Sequence, residues 1–371
     1  MLSFLRHLNN LININGLGED HRRLVFYSEG KNYWVHLEGL IKQILASSHV
    51  KVCFLTSSAD DPGLDFEHDN FRSFEIGDGF ARDWIFANID ADVMVMSTPD
   101  LHQYQVKKSC HDVHYVYVQH SLVSLHMVYR PKAFEHYNTI FCAGPHHLLE
   151  MRAMEKLHGF PEKKLVEHGY SRLDSILAHS VIDPEPSEDN SPLHILIAPS
   201  WGANGTIESG IAYEIVANLL HRGFAVTLRP HPQTLKFAAT QVDAIKSSFF
   251  SHPLFSFEDN VAGQESLHQS DLMISDWSGA ALDYALGLKK PVLFIDVPRK
   301  INDPAYDQLN LEPIESSIRD KIGIVVAPDC AELPIEQCML IDNSSLDMSE
   351  LVFNVSRSNE VGARAILDLL E

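Results

Sequence analysis

Short apolar runs recur along the chain, separated by segments whose apolar positions repeat every three or four residues. The first runs are Leu24–Tyr27, Val50–Leu55, Phe71–Ile76, Val93–Met96, Tyr115–Val118, Thr139–Cys142 and Leu165–His168. They resume after residue 190 as His194–Ala198, Ala225–Leu228, Leu272–Ile274, Pro291–Ile295 and Ile322–Val326. Runs this short, with little polar alternation, fit parallel strands buried on both faces. The segments between them read as helices, among them 80–88, 211–220 and 360–370. Strand and helix alternating throughout predict doubly wound α/β sheets.

One stretch has a character of its own. Residues 180–192, SVIDPEPSEDNSP, hold three prolines and four acids and little apolar content, and read as an inter-domain linker. The expected division is 1–183 and 184–345, two Rossmann-like halves facing a central cleft. Residues 346–371 form a helical segment packing back on the first half. Ligands of such sheets sit at the carboxyl ends of the strands. The polar clusters fall there: Gln119-His120, Gly144-Pro145, Gly169-Tyr170, Ser200-Trp201, Arg229-His231 and Asp276-Ser278.

The stretch Asp271 to Asp296 organises the second half. An apolar strand runs into Ser275-Asp276-Trp277-Ser278-Gly279. Helical spacing follows at Ala281, Leu282, Ala285 and Leu286, and Gly287 is expected to end that helix. Ser278 then stands at a helix N-terminus, where free N–H groups and the helix dipole suit a phosphate. Ser and Asp are also the favoured N-caps, so capping alone accounts equally well for this turn.

Composition narrows the function classes. A formal net charge of −21 excludes a broad basic face for nucleic acid. It also disfavours general attraction to anionic lipid, while leaving a local membrane-docking patch open. No apolar run is long enough to span a membrane, and the N-terminus lacks the features of a signal peptide. The five cysteines are scattered and read as reduced thiols, which points to the cytoplasm.

Two histidines stand out. Arg229-Pro230-His231-Pro232 joins a fixed cation to an imidazole on a stiffened loop. The guanidinium suits a phosphate, and His231 can donate to a phosphate oxygen or protonate a leaving group. His120 follows a buried strand of the first half and is the candidate general base; His126 and His146-His147 are weaker candidates. No metal site is expected. Asp90-Ala91-Asp92 precedes its strand, at the wrong end of the sheet. His111 and His114, placed on a helix, find no third ligand. Walker A, GxSxG, HExxH and GxGxxG patterns are absent.

Taken in order, several motifs resemble the CDP-glycerol glycerophosphotransferase family, the teichoic-acid primases, polymerases and related capsule enzymes. They are Gln119-His120, Gly169-Tyr-Ser-Arg-Leu-Asp174, Ile197-Ala-Pro-Ser-Trp201, Arg229-Pro-His-Pro232, Ser275-Asp-Trp-Ser-Gly279 with Asp283-Tyr284, and Lys290-Pro-Val-Leu-Phe294. The resemblance spans roughly 115–300 and implies the GT-B fold. It also implies transfer of a polyol phosphate from a CDP-activated donor to an acceptor hydroxyl on a polysaccharide or glycolipid. Carried over by position, His120 and His231 are catalytic. Arg229, Ser275, Asp276, Ser278 and Gly279 bind donor phosphate; Gln119, Gly169, Tyr170, Arg172, Ser200 and Trp201 line the cleft. No cofactor is held permanently, and a divalent-metal requirement is left open, as is the oligomeric state. Two positions depart from the family pattern: Ser121 stands where Gly usually follows the histidine, and Gly279 replaces a second serine. A glycosyltransferase of the same fold using a CMP- or UDP-sugar is the alternative. A non-catalytic nucleotide-binding subunit of a polysaccharide assembly complex is a third reading.

Overall fold

The computed structural model describes residues 2–104, 106–180, 191–330 and 332–371. Thirteen strands form two wholly parallel sheets. The first contains β1 (Leu24–Ser28), β2 (Val52–Thr56), β3 (Phe71–Glu75), β4 (Val93–Met96), β5 (His114–Val118), β6 (Thr139–Cys142) and β7 (Lys164–Glu167). The second contains β8 (His194–Ile197), β9 (Ala225–Leu228), β10 (Phe255–Phe257), β11 (Leu272–Ser275), β12 (Val292–Ile295) and β13 (Gly323–Val326). Their orders are 3-2-1-4-5-6-7 and 10-9-8-11-12-13. Each sheet reverses its winding once, between β1 and β4 and between β8 and β11, and the carboxyl ends at such a reversal open a crevice.

The apolar runs form these strands because helices cover both faces. On the first sheet Val25, Cys53, Met94 and Tyr115 face one core, and Phe26, Phe54, Val95 and Val116 the other. The second sheet has one core of its own, around Ile195, Val226, Leu228, Ile274 and Leu293. Its other face packs into a core shared between the halves. There Leu196, Met273, Ala285 and Phe294 meet Leu122, Tyr170, Leu173 and Ile176.

Two expectations change, and β10 matches none of the apolar runs read from the sequence. The helix after β11 runs from Gly279 to Leu288, so Gly287 lies inside it, and Lys289 takes the left-handed cap at φ 59°. Gly287 is small for a packing reason: a Cβ there would stand 2.7 Å from Ile176 Cγ2 of the opposing helix. His111 and His114 are not on a helix, since His114 opens β5 and bonds Thr139 across to β6 at 2.8 Å. Of the expected linker, residues 181–190 lie outside the described residues.

The chain's end returns to the first half. The helix Ser358–Leu367 packs on Lys31–Ser47, and a Cβ on Gly362 would meet Leu40 Cδ2 at 2.5 Å. Asp174, buried in the Ser171–Ser180 helix, holds the start of this segment. Its carboxylate accepts from Ser356 N at 2.6 Å, Ser358 N at 2.9 Å and Ser358 Oγ at 2.5 Å. Asp174→Ala strands three donors at a buried site and should lower stability by roughly 2–4 kcal/mol. Urea unfolding measures the loss, and proteolysis of 346–371 ahead of the rest would show where it acts.

Candidate active site

His120 leaves the carboxyl end of β5 inside an aromatic box. Its Nδ1 is 3.0 Å from Tyr117 Oη and its Nε2 3.4 Å from Tyr129 Oη. Tyr33 and His36 present ring edges with centroids 6.0 and 6.1 Å away. Tyr170 Oη donates to the His120 carbonyl at 3.0 Å, which fixes the backbone below the ring. Burial pushes the imidazole down to about 4, aided by the Lys300 charge and opposed by a hydrogen bond at Ser97. His120 is therefore neutral near pH 7, the state a proton acceptor needs.

His231 follows β9 and caps the short Pro232–Phe237 helix. Its Nδ1 accepts from Gln233 N at 3.1 Å. That bond fixes the tautomer, with the proton on Nε2, so a neutral His231 is a donor. Burial pushes it down to about 3, and Lys300 and His120 both act against its charge. His120 and His231 stand at the carboxyl ends of β5 and β9, one on each half. Trp201 stacks on His231, with centroids 5.9 Å apart and planes 29° apart.

Asp276 builds the loop that carries Trp201. It is buried, and its carboxylate accepts from Ser200 N at 2.6 Å, Thr206 N at 3.1 Å and Thr206 Oγ1 at 2.8 Å. Glu208 on the same loop accepts from Thr234 Oγ1 at 2.7 Å, tying it to the His231 helix. Ser275 Oγ donates to the Ala198 carbonyl at 2.8 Å. Asp276 and Ser275 thus make hydrogen bonds within the protein that shape the loop carrying Trp201.

Arg229 is likewise bonded within the protein. It is buried and donates to Val261 O at 2.6 Å and Ser266 Oγ at 3.2 Å. Arg172 comes from the first half and joins it in the seam. Its Nε is 3.1 Å from Asp283 Oδ2, and it donates to Val261 O at 3.0 Å. Burial still pushes Asp283 up to about 6, against the pull of both guanidinium groups. Gly169 lies at φ 97°, where a Cβ would strike the Phe353 carbonyl. Gln119 is buried beside His120.

Ser278 caps the Gly279–Leu288 helix, its Oγ accepting from Ala280 N at 3.3 Å. Gly279 lies against Ser121, whose Oγ occupies the space a Cβ at 279 would need. The two departures from the family pattern therefore face each other: one hydroxyl, carried by the first half, sits at the phosphate turn of the second. Sequence reasoning missed Lys300, a partly buried lysine after β12 with its Nζ 3.8 Å from the Trp201 ring centroid. Burial pushes Lys300 down to about 8, opposed by Asp276 and Glu208. Its place beyond a strand's carboxyl end was the available signal. Among the described residues, no group of three or more His, Cys, Asp or Glu is arranged to hold a metal.

The facing pair predicts a coupling. Gly279→Ser sets a second hydroxymethyl against Ser121 and should lower the thermal midpoint, and adding Ser121→Gly should recover most of the loss. Unfolding of the two single variants and the double gives the interaction energy, expected at about 0.5–3 kcal/mol; strictly additive values would contradict it.

The fold is shared with solved enzymes. The chain is similar to the UDP-GlcNAc 2-epimerase of Methanocaldococcus jannaschii, solved with UDP-GlcNAc and UDP. The TM-score is 0.57 at 14% identity, over 93% of this chain and 99% of that one. It is also similar to UDP-GlcNAc 2-epimerase from Neisseria meningitidis bound to UDP-GlcNAc, with a TM-score of 0.55 at 12% identity over 93% and 99% of the two chains. These likenesses establish the GT-B arrangement of two parallel-sheet α/β domains. Comparison with curated protein sequences gives no match. The model of the CDP-glycerol:poly(glycerophosphate) glycerophosphotransferase family matches residues 85–299, more than half of the chain and a span that holds both histidines and the phosphate turn. By that match the chain belongs to the CDP-glycerol:poly(glycerophosphate) glycerophosphotransferase family.

Proposed function

We propose that the protein transfers a polyol phosphate, such as glycerol phosphate, from a CDP-activated donor to an acceptor hydroxyl during synthesis of a cell-surface polymer. The placement of His120 and His231 at strand carboxyl ends of opposite halves, with Ser121 packed against Gly279 of the Ser278-Gly279 turn, carries this reading. Two imidazoles, one placed to accept a proton and one to donate, suit transfer between a donor held by one half and an acceptor held by the other.

The step balances as follows. His120 takes the proton of the acceptor hydroxyl, whose oxygen bonds to the β-phosphorus of the donor. The bond from that phosphorus to the bridging oxygen breaks, and CMP leaves with the oxygen. His231, protonated on Nε2, donates a hydrogen bond to the developing charge. Positioning and charge stabilisation supply most of the acceleration in such transfers. The donor phosphates rest on the N–H groups at the Ser278-Gly279 turn. The reaction belongs in the cytoplasm, at the inner face of the membrane, where donor and lipid-linked acceptor meet. None of the helices among the described residues is long and apolar enough to cross a membrane.

The test is CMP release with CDP-glycerol, CDP-ribitol, and CMP- and UDP-sugars, each with a crude glycolipid acceptor. Turnover of a CDP-polyol is expected; turnover only with a nucleotide sugar would assign a glycosyl transfer to the same site. Nucleotide binding without release from any donor would make the chain a binding subunit. His120→Ala and His231→Ala should each lose roughly 10²–10⁴-fold in kcat, and wild-type turnover in either variant would remove its role.

The acid limb gives a separate check. A base with its pKa lowered to about 4 stays neutral until the pH falls towards that value. The acid limb of kcat/KM should therefore be level from pH 7 to about 5, since this parameter reports the free enzyme. An inflection near 6.5, the ordinary imidazole value, would show that burial does not lower the base as it lowers His120 here.

A further inference from the structure

The cleft holds a cation that the mechanism above does not use. Lys300 stands on the segment after β12 with its Nζ over the Trp201 ring, 3.8 Å from the centroid. Trp201 stacks in turn on His231. The charge of Lys300 is felt at both His120 and His231. Lysines in partly buried sites ordinarily find a carboxylate. Among the described residues no carboxylate lies within ion-pair distance of Lys300, the nearest influences being Asp276 and Glu208. Asp276 already accepts three hydrogen bonds from its loop, and Glu208 accepts from Thr234.

We propose that Lys300 binds the diphosphate of the donor, offering its ammonium to the oxygens that become negative as the nucleotide leaves. The proposal rests on the phosphotransfer reading above and adds a residue to it. An ammonium fits this task because a nucleoside diphosphate brings several negative oxygens into a site whose nearby imidazoles are neutral. Trp201 holds the cation through its ring face while leaving the ammonium hydrogens free. The Asp276 network holds Trp201, so the carboxylate acts at one remove through the loop.

The charge state makes the idea testable. The groups facing Lys300 are His120, His231, Asp276 and Glu208. Both histidines are neutral above about pH 5, so the charge lost here between pH 7 and 10 is that of Lys300. Its free pKa of about 8 means it is charged below that pH and loses the charge above it. Affinity for a diphosphate should therefore fall as pH rises through 8 to 9.

The experiment is calorimetric titration of the full chain with CDP and with UDP, each beside its own nucleoside, at pH 7 and pH 9. The wild type should bind at least one diphosphate more tightly than its nucleoside, and less tightly at pH 9. Lys300→Met should weaken the diphosphate by about 10- to 100-fold, leave the nucleoside unchanged and abolish the pH dependence. Lys300→Arg should keep the affinity at both pH values, since a guanidinium stays charged. A merely structural lysine would weaken nucleoside and diphosphate alike. If the wild type prefers no diphosphate over its nucleoside, the phosphotransfer reading fails and this proposal falls with it. If the preference is present and survives Lys300→Met, that reading stands and Lys300 is not the phosphate ligand.

Discussion

The two halves meet through polar groups withdrawn from water, and the site depends on that seam. Arg172 of the first half is buried against Asp283 of the second and bonds the Val261 carbonyl that Arg229 also holds. Glu315 of the second half accepts from Ser124 N at 2.8 Å and Ser124 Oγ at 2.7 Å, four residues beyond His120. Removing one partner of such a pair leaves a charge or donor buried alone, which costs more than the pair contributes. The seam therefore specifies a particular apposition of the sheets more than it adds stability.

That apposition explains the state of the candidate groups in the cleft. Two carboxyl edges brought together exclude water from the side chains between them. Exclusion disfavours charge, so both imidazoles are neutral and Lys300 holds its proton less firmly. The aromatic rings around His120 and beside His231 supply much of this dry surface. A neutral base, a neutral donor and one cation are a set that a charged substrate completes. An unpaired acid between the histidines would oppose the same substrate.

The phosphate turn shows how two halves divide a site. Ser278 uses its hydroxyl to cap its own helix, and Gly279 leaves space that Ser121 fills from across the cleft. A change on one half is legible only beside the residue that faces it on the other.

Fold class, every strand but the short edge strand β10, the two halves and the family were legible in the chain. Buried parallel strands are continuous apolar runs, and turn chemistry at their carboxyl ends is local. His120, His231 and Ser278 could be singled out as candidates because each closely follows a strand. The internal partners of Arg229, Ser275 and Asp276 were not readable, since a polar side chain at a strand end can face a ligand, fasten a neighbouring loop, or do both. Only long-range partners such as Val261, Ala198 and Thr206 decide which. Gly287 read as a helix end and proved to be a contact, because the helix of Ile176 arrives from more than a hundred positions away. Lys300 carries no motif. It became a candidate ligand through the ring it lies over and the histidines it faces, and those are set by how the two sheets come together.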